Sequence, residues 1–108
     1  MSAYRIVLTP EAERQLTHEM RYSRQRWGKA HQQEFRRGLR AYLGQLAENP
    51  HLHRERPESF DVRVARWKGL RIAYLVDESE RHMVVVAFVG RNRLIENALS
   101  DEIKRGSA

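Results

Sequence analysis

The chain has 108 residues, with 20 Lys and Arg against 14 Asp and Glu, a formal net charge of +6 and no cysteine. A chain of that length is expected to form one domain over residues 1–108 around a single core, and the lack of cysteine excludes disulfides and thiolate metal sites. The positive excess favours anionic partners, but no run approaches the roughly 18 apolar residues of a membrane span, so a cytoplasmic protein with no membrane partner is expected.

"YRIVL", Tyr4 to Leu8, has the β-branched and aromatic content of a short strand. Thr9 then makes a good helix N-cap, Pro10 suits the first helical position, and Glu11 and Glu13 favour the positive end of the helix dipole. Ala12, Leu16, Met20, Ser23 and Trp27 recur at three- and four-residue steps as a narrow stripe, and Gly28 ends the helix. A second helix is expected from Lys29 to Glu48, with Phe35, Leu39, Tyr42, Leu43 and Leu46 on one face. The two form a hairpin; Arg36, Arg37 and Arg40 fall on its remaining faces and read as solvated. Asn49 and Pro50 stop the second helix.

After the loop "NPHLHRERPES" the pattern alternates. "FDVRVARW" places Phe60, Val62, Val64 and Arg66 on one face and Asp61, Arg63, Ala65 and Trp67 on the other, with Lys68 and Gly69 as the turn. "LRIAYLV" turns Leu70, Ile72, Tyr74 and Val76 inward with Arg71 opposite, and His82 to Val89 is the most apolar strand, expected at the sheet centre. The order β-α-α-β-β-β predicts an α+β fold in which a helical hairpin covers one face of a small, mainly antiparallel sheet and the other face stays partly open. "RLIENALSDEIK" is compatible with a short C-terminal helix, and the tail from about residue 94 is either helical or disordered.

If the last three strands are antiparallel neighbours, Arg63, Arg66, Lys68, Arg71, Arg91 and Arg93 gather at one end of the sheet. Guanidinium groups bind phosphate or carboxylate through paired hydrogen bonds, so the cluster is a candidate anion site. The bland alternative is that these cations only keep strand ends from pairing with another chain. Trp67 and Tyr74 have faces on which a base would stack, although large strand aromatics are usually core. His51 and His53 form His-x-His, too few ligands for a metal without others, and no cofactor is expected. RNA cleavage would need a base, an acid and cations. Past Tyr74 there is no tyrosine and past His82 no histidine, which leaves Glu96 as the candidate base.

Several motifs together, "YRIVLTPEAERQL", "RWG" at Arg26 to Gly28, "LAENP" at Leu46 to Pro50, "GLRIAYLV" at Gly69 to Val76 and "VVVAFVGR" at Val84 to Arg91, resemble the RelE/ParE superfamily of bacterial toxins in order and spacing. The resemblance implies a RelE/ParE-like fold, a cognate acidic antitoxin and growth arrest by the free toxin. RelE-like members cut mRNA on the ribosome, using sheet cations and a tyrosine or histidine near the C-terminus; ParE-like members poison DNA gyrase. Arg71 matches the arginine that opens the third strand in RelE-like toxins, and Arg91 to Arg93 their basic segment after the glycine. At the tyrosine position, counted to Glu96 or Ala98, no phenol is present. The long hairpin with "RWG" at its joint looks like the ParE branch. The expectation is therefore gyrase inhibition, with Arg63, Arg66, Lys68, Arg71, Arg91, Asn92 and Arg93 as a surface for antitoxin or target. One alternative is a ribosome-dependent mRNA endonuclease using Arg71, Arg91, Arg93 and Glu96; another is a non-toxic basic binding module.

Overall fold

Strand β1 (Arg5–Leu8) leads into helices α1 (Pro10–Trp27) and α2 (Lys29–Glu48), a 3-10 turn at Pro50–Leu52, and strands β2 (Glu55–Arg56), β3 (Val62–Trp67), β4 (Leu70–Asp77) and β5 (His82–Val89). This computed structural model describes residues 3–57 and 60–90. The expected C-terminal helix, and with it Arg91, Asn92, Arg93 and Glu96, lies outside the described residues.

The strands form one sheet in the order β1-β5-β4-β3-β2. β3, β4 and β5 are antiparallel neighbours as expected, whereas β1 runs parallel to β5 with Arg5 opposite His82 and Leu8 opposite Val85. A parallel partner needs a long crossover, which the helical hairpin supplies. The two-residue β2 pairs Glu55 with Arg63 and Arg56 with Val62 inside the stretch expected to be loop. β3 begins at Val62 rather than Phe60, because Phe60 and Asp61 both take positive φ, near 60°, and Asp61 N–H donates to Arg56 O at 2.9 Å.

Thr9 caps α1 by accepting the Ala12 N–H on its hydroxyl at 3.2 Å. Gly28 ends α1 and starts α2 at φ 94°, a backbone angle that side chains with a Cβ strongly disfavour. Gln32 then ties the hairpin by donating its side-chain amide to Met20 O at 2.9 Å. Beyond Leu8 the chain leaves the sheet for α1, and α1 side chains serve the backbone of β5 there. The Thr9 hydroxyl donates to Val86 O, and Gln15 Oε1 accepts Phe88 N–H at 2.8 Å. Gln15 is buried for this reason, one of two buried polar residues, with Ser23, on a helix that is otherwise largely charged.

The main core lies between the hairpin and one sheet face: Ala12, Met20, Leu39, Leu43, Leu46 and Ala47 pack on Ala65, Leu70, Ile72, Tyr74, Met83, Val85 and Phe88. Trp67 joins it, edge-on to Phe35 at 5.1 Å and stacked on Tyr42 at 6.4 Å. Gly38 lets the indole lie against α2, since a Cβ there would fall 2.8 Å from Trp67 Cζ2. The opposite face, expected to stay partly open, carries a second buried cluster of Val62, Val64, Ala73, Val86, Ala87 and Val89. β5 is apolar on both faces, and an irregularity between Ala73 and Tyr74 moves the pairing from Ala87 to Val85, so that Val86 has no direct partner in the ladder.

Candidate functional site

The turn at Lys68–Gly69, with φ of 47° and 79°, brings β3 and β4 together so that Arg66 lies directly opposite Arg71, and Arg71 opposite Val89. Arg66, Lys68 and Arg71 thus share one end of the sheet with Gly90. Arg66 and Arg71 belong to the face turned away from the helices, because Trp67, Leu70 and Ile72 occupy the other. Arg71 is half-buried and donates a guanidinium N–H to Gly90 O at 3.3 Å, whereas Arg66 is exposed. Lys68 turns its ammonium over the Trp67 ring at 5.2 Å.

Arg63 does not join them. It sits opposite Tyr74 and Glu55, donates to His53 O at 2.6 Å and pairs with Glu55 at 3.3 Å, so it ties the loop before β3 to the sheet. Alternation separates it as well, since Arg63 and Arg66 point to opposite faces of β3. Of the expected cluster, Arg66 and Arg71 come together on one face among the described residues, while Lys68 shares that end of the sheet but turns toward Trp67.

Tyr74, weighed as a base-stacking residue, is fully buried and donates its hydroxyl to Pro50 O at 2.6 Å. Burial pushes its phenol up to about 12. Trp67 is likewise committed to the core. His51 pairs with Glu78, not with His53, and among the described residues no group of three His, Cys, Asp or Glu could hold a metal.

Two features escaped the sequence reading. The first joins Tyr4, His51, Glu78 and Arg81 at the other end of the sheet. The Tyr4 hydroxyl donates to Glu78 Oε2 at 2.8 Å, His51 Nε2 pairs with Glu78 Oε1, and the Arg81 guanidinium lies 4.3 Å from the Tyr4 ring centre. The Tyr4 hydrogen bond holds the Glu78 carboxyl below its ordinary value, and the same bond raises the Tyr4 phenol. The second is a groove of about 530 Å³ between α1, α2 and β1, with Ile6, Leu8, Leu16, Met20, Leu39 and Leu43 lining its apolar part and Arg21, Arg36 and Arg40 its rim. Arg36, Arg37 and Arg40 are exposed, as expected of a solvated face, and Arg37 pairs with Glu34 at 3.1 Å. β1 is an edge strand in the described sheet. Arg5 and Thr9 donate their N–H groups toward β5, so alternation turns the backbone of Ile6 and Leu8 to the free edge beside the groove.

Among the described residues no helix is long and apolar enough to cross a membrane. A family model described as the ParE toxin of the type II toxin–antitoxin system parDE matches residues 6–95. No curated protein matches the sequence significantly. Among solved structures, the toxin–antitoxin complex RelBE2 of Mycobacterium tuberculosis is similar at 20% identity and a TM-score of 0.60, over 86% of this chain and 97% of that one. A doubly substituted E. coli RelE toxin in the free state is similar at 19% identity and a TM-score of 0.59, over 96% and 98%. The isolated E. coli RelE toxin gives 20% identity and a TM-score of 0.58, over 95% and 98%. At these identities the likeness to the solved structures is one of fold.

Proposed function

The chain belongs to the ParE toxin family of type II toxin–antitoxin systems, and from that premise we propose that, when free of its antitoxin, it arrests growth by inhibiting DNA gyrase without cutting RNA. The observation that carries the choice of target is the distance between Arg66 and Arg71 and every phenol and imidazole of the chain. All four tyrosines and all five histidines of the sequence fall among the described residues. Tyr42 and Tyr74 pack in the core, Tyr4 and His51 belong to the cluster at the far end, and Tyr22 and His31 stand at the hairpin joint. His53 is beside Arg63, His18 lies on the outer face of α1, and His82 starts β5, opposite Asp77. At about 3.3 Å per residue, His82 is roughly 20 Å along the strand from the Arg71 end. Cleavage of RNA would leave Arg66 and Arg71 to stabilise charge with no phenol or imidazole beside them to take or give the proton.

The toxin reading also gives the groove an occupant. An antitoxin segment with apolar residues at helical spacing and flanking carboxylates would fill the apolar part and meet Arg21, Arg36 and Arg40. Such a tail orders on binding and covers the free edge of β1.

Purified protein titrated into a gyrase supercoiling reaction tests the target. Loss of supercoiling or accumulation of cleaved DNA is expected, with translated mRNA left intact in primer extension. New mRNA ends that vanish in Arg71→Ala, with supercoiling untouched, would overturn the gyrase reading in favour of the ribosome-dependent endonuclease.

A further inference from the structure

The joint of the helical hairpin carries a patch that neither the groove nor the sheet-end arginines explain. From Met20 to Gln33 the chain has Arg21, Arg24, Arg26 and Lys29 and no Asp or Glu. None of these four cations has an ion pair among the described residues. Two large aromatics are exposed in the same stretch, Tyr22 at 53% and Trp27 at 59%. Burial elsewhere in the fold shows the contrast: Trp67, the other tryptophan, is packed against α2.

The Trp27 face is held in place. The Arg26 guanidinium lies 5.3 Å from the centre of the Trp27 ring, and the His31 ring packs at 5.6 Å, itself fixed by contact of its Nδ1 with the Ser23 hydroxyl at 3.0 Å. Tyr22 stands one helical turn before Arg26 and five residues before Trp27, so the aromatics bracket Arg26 on a strip that winds about 140° round the end of α1. The strip also projects. α1 passes the sheet end at Glu19, whose carboxylate would lie 3.2 Å from a Cβ on Gly90, and α2 meets it at Phe35, against Trp67. At 1.5 Å per residue, the eight residues of α1 after Glu19 carry the joint about 12 Å beyond that end, the end that holds Arg66 and Lys68.

We propose that the tip of the α1–α2 hairpin is a contact surface for single-stranded nucleic acid, on which Trp27 and Tyr22 stack bases and Arg24, Arg26 and Lys29 hold phosphates. Unpaired cations would attract any polyanion. Exposed, oriented aromatic faces interleaved with them select one whose units also carry flat rings, and stacking of that kind is tolerant of sequence. A duplex buries its base faces, and an acidic polypeptide has none to offer. The surface requires neither gyrase nor antitoxin, so its test is independent of the growth-arrest reading.

The experiment is fluorescence anisotropy of a labelled oligothymidylate titrated with the full chain over a range of salt, with unfolding midpoints recorded for each variant. Trp27→Ala is expected to weaken binding about tenfold through loss of one stacked base. Arg24→Glu/Arg26→Glu is expected to weaken it further and to flatten the log–log salt slope by about 1.4, roughly 0.7 per lost phosphate contact. Quenching of the intrinsic indole emission on binding should disappear in Trp27→Phe. Because these side chains are exposed, the unfolding midpoints should stay at the wild-type value. Three results would each overturn the proposal: unchanged oligothymidylate affinity in the tip variants, loss of binding in Arg66→Ala/Lys68→Ala while the tip variants bind normally, or a tip preference for labelled polyglutamate over oligothymidylate.

Discussion

Arg66 and Arg71 stand directly opposite each other across the β3–β4 ladder, on the face turned away from the helices. Like charges in that position repel, by an amount on the order of 0.2–1 kcal/mol against a neutral pair. Arg71 is partly compensated by Gly90 O, but Arg66 has no hydrogen bond or ion pair among the described residues. An anion bound between the two guanidinium groups would relieve that repulsion.

Arg66→Ala separates stability from function. Removing the exposed partner of the pair should leave the unfolding free energy unchanged or raise it by up to about 1 kcal/mol, while growth arrest on induced expression weakens. Denaturant unfolding alongside a growth assay checks this; a variant that loses stability with full toxicity would show that Arg66 serves the fold.

Gly38→Ala inverts the usual helix rule. In an open helix the change gains about 1 kcal/mol, yet here the new Cβ meets Trp67 Cζ2 at 2.8 Å. The indole is wedged between Phe35, Tyr42 and the α2 backbone and cannot step aside freely. We expect net destabilisation of about 1–3 kcal/mol, typical of overpacking, with altered near-ultraviolet dichroism from Trp67. Gly44, with open space around it, is the control position where alanine should stabilise.

Tyr74 sets an alkaline limit. Its folded pKa is raised, because burial disfavours the phenolate, so its contribution is fully present below the ordinary tyrosine value near 10 and is lost as pH rises from there through about 12. Tyr42, raised by burial as well, acts in the same direction. Tyr74→Phe leaves Pro50 O without its donor and should cost about 1–3 kcal/mol at neutral pH, while the fall of stability between pH 10 and 12 becomes shallower. Urea unfolding at neutral and alkaline pH measures both effects.

Glu78 acts at the acid end. Its folded pKa is depressed, chiefly by the Tyr4 hydroxyl, so its contribution is present above the ordinary carboxylate value of 4.5 and is lost as pH falls through the lower folded value. Asp77, depressed by hydrogen bonds from the Ser79 hydroxyl and the Glu80 N–H, contributes with the same sign. Glu78→Gln should flatten the acid limb of the stability profile, and Tyr4→Phe should move the Glu78 titration, followed by NMR, back toward the ordinary value. A Glu78 titration unmoved by Tyr4→Phe would refute the assignment.

Local chemistry by itself determined the two helices, the cap at Thr9, the break at Gly28, the alternation of β3 and the inward face of β4, with Tyr74 on it. Caps act within one turn and strand alternation within one pleat, so a few adjacent residues suffice. The ordered set of short motifs also pointed to the toxin superfamily to which the chain belongs.

Tertiary structure alone decided which distant elements meet. Nothing near Tyr4 announces a carboxylate 74 positions away at Glu78, because that contact exists only once β1 pairs in parallel with β5 and the Asp77–His82 turn arrives beside it. Gln15 reads as a solvated helix residue until β1 ends short of Phe88 and leaves an N–H to be met. Arg63 and Arg66, three residues apart, were separated by the pleat and by what β2 offered to one of them. The groove collects Ile6, Met20, Arg36 and Leu39 from three elements, and at the joint the exposure of Trp27 follows from α1 outrunning the sheet. Long-range pairing is chosen by the total packing of the chain, and no window of sequence contains that sum.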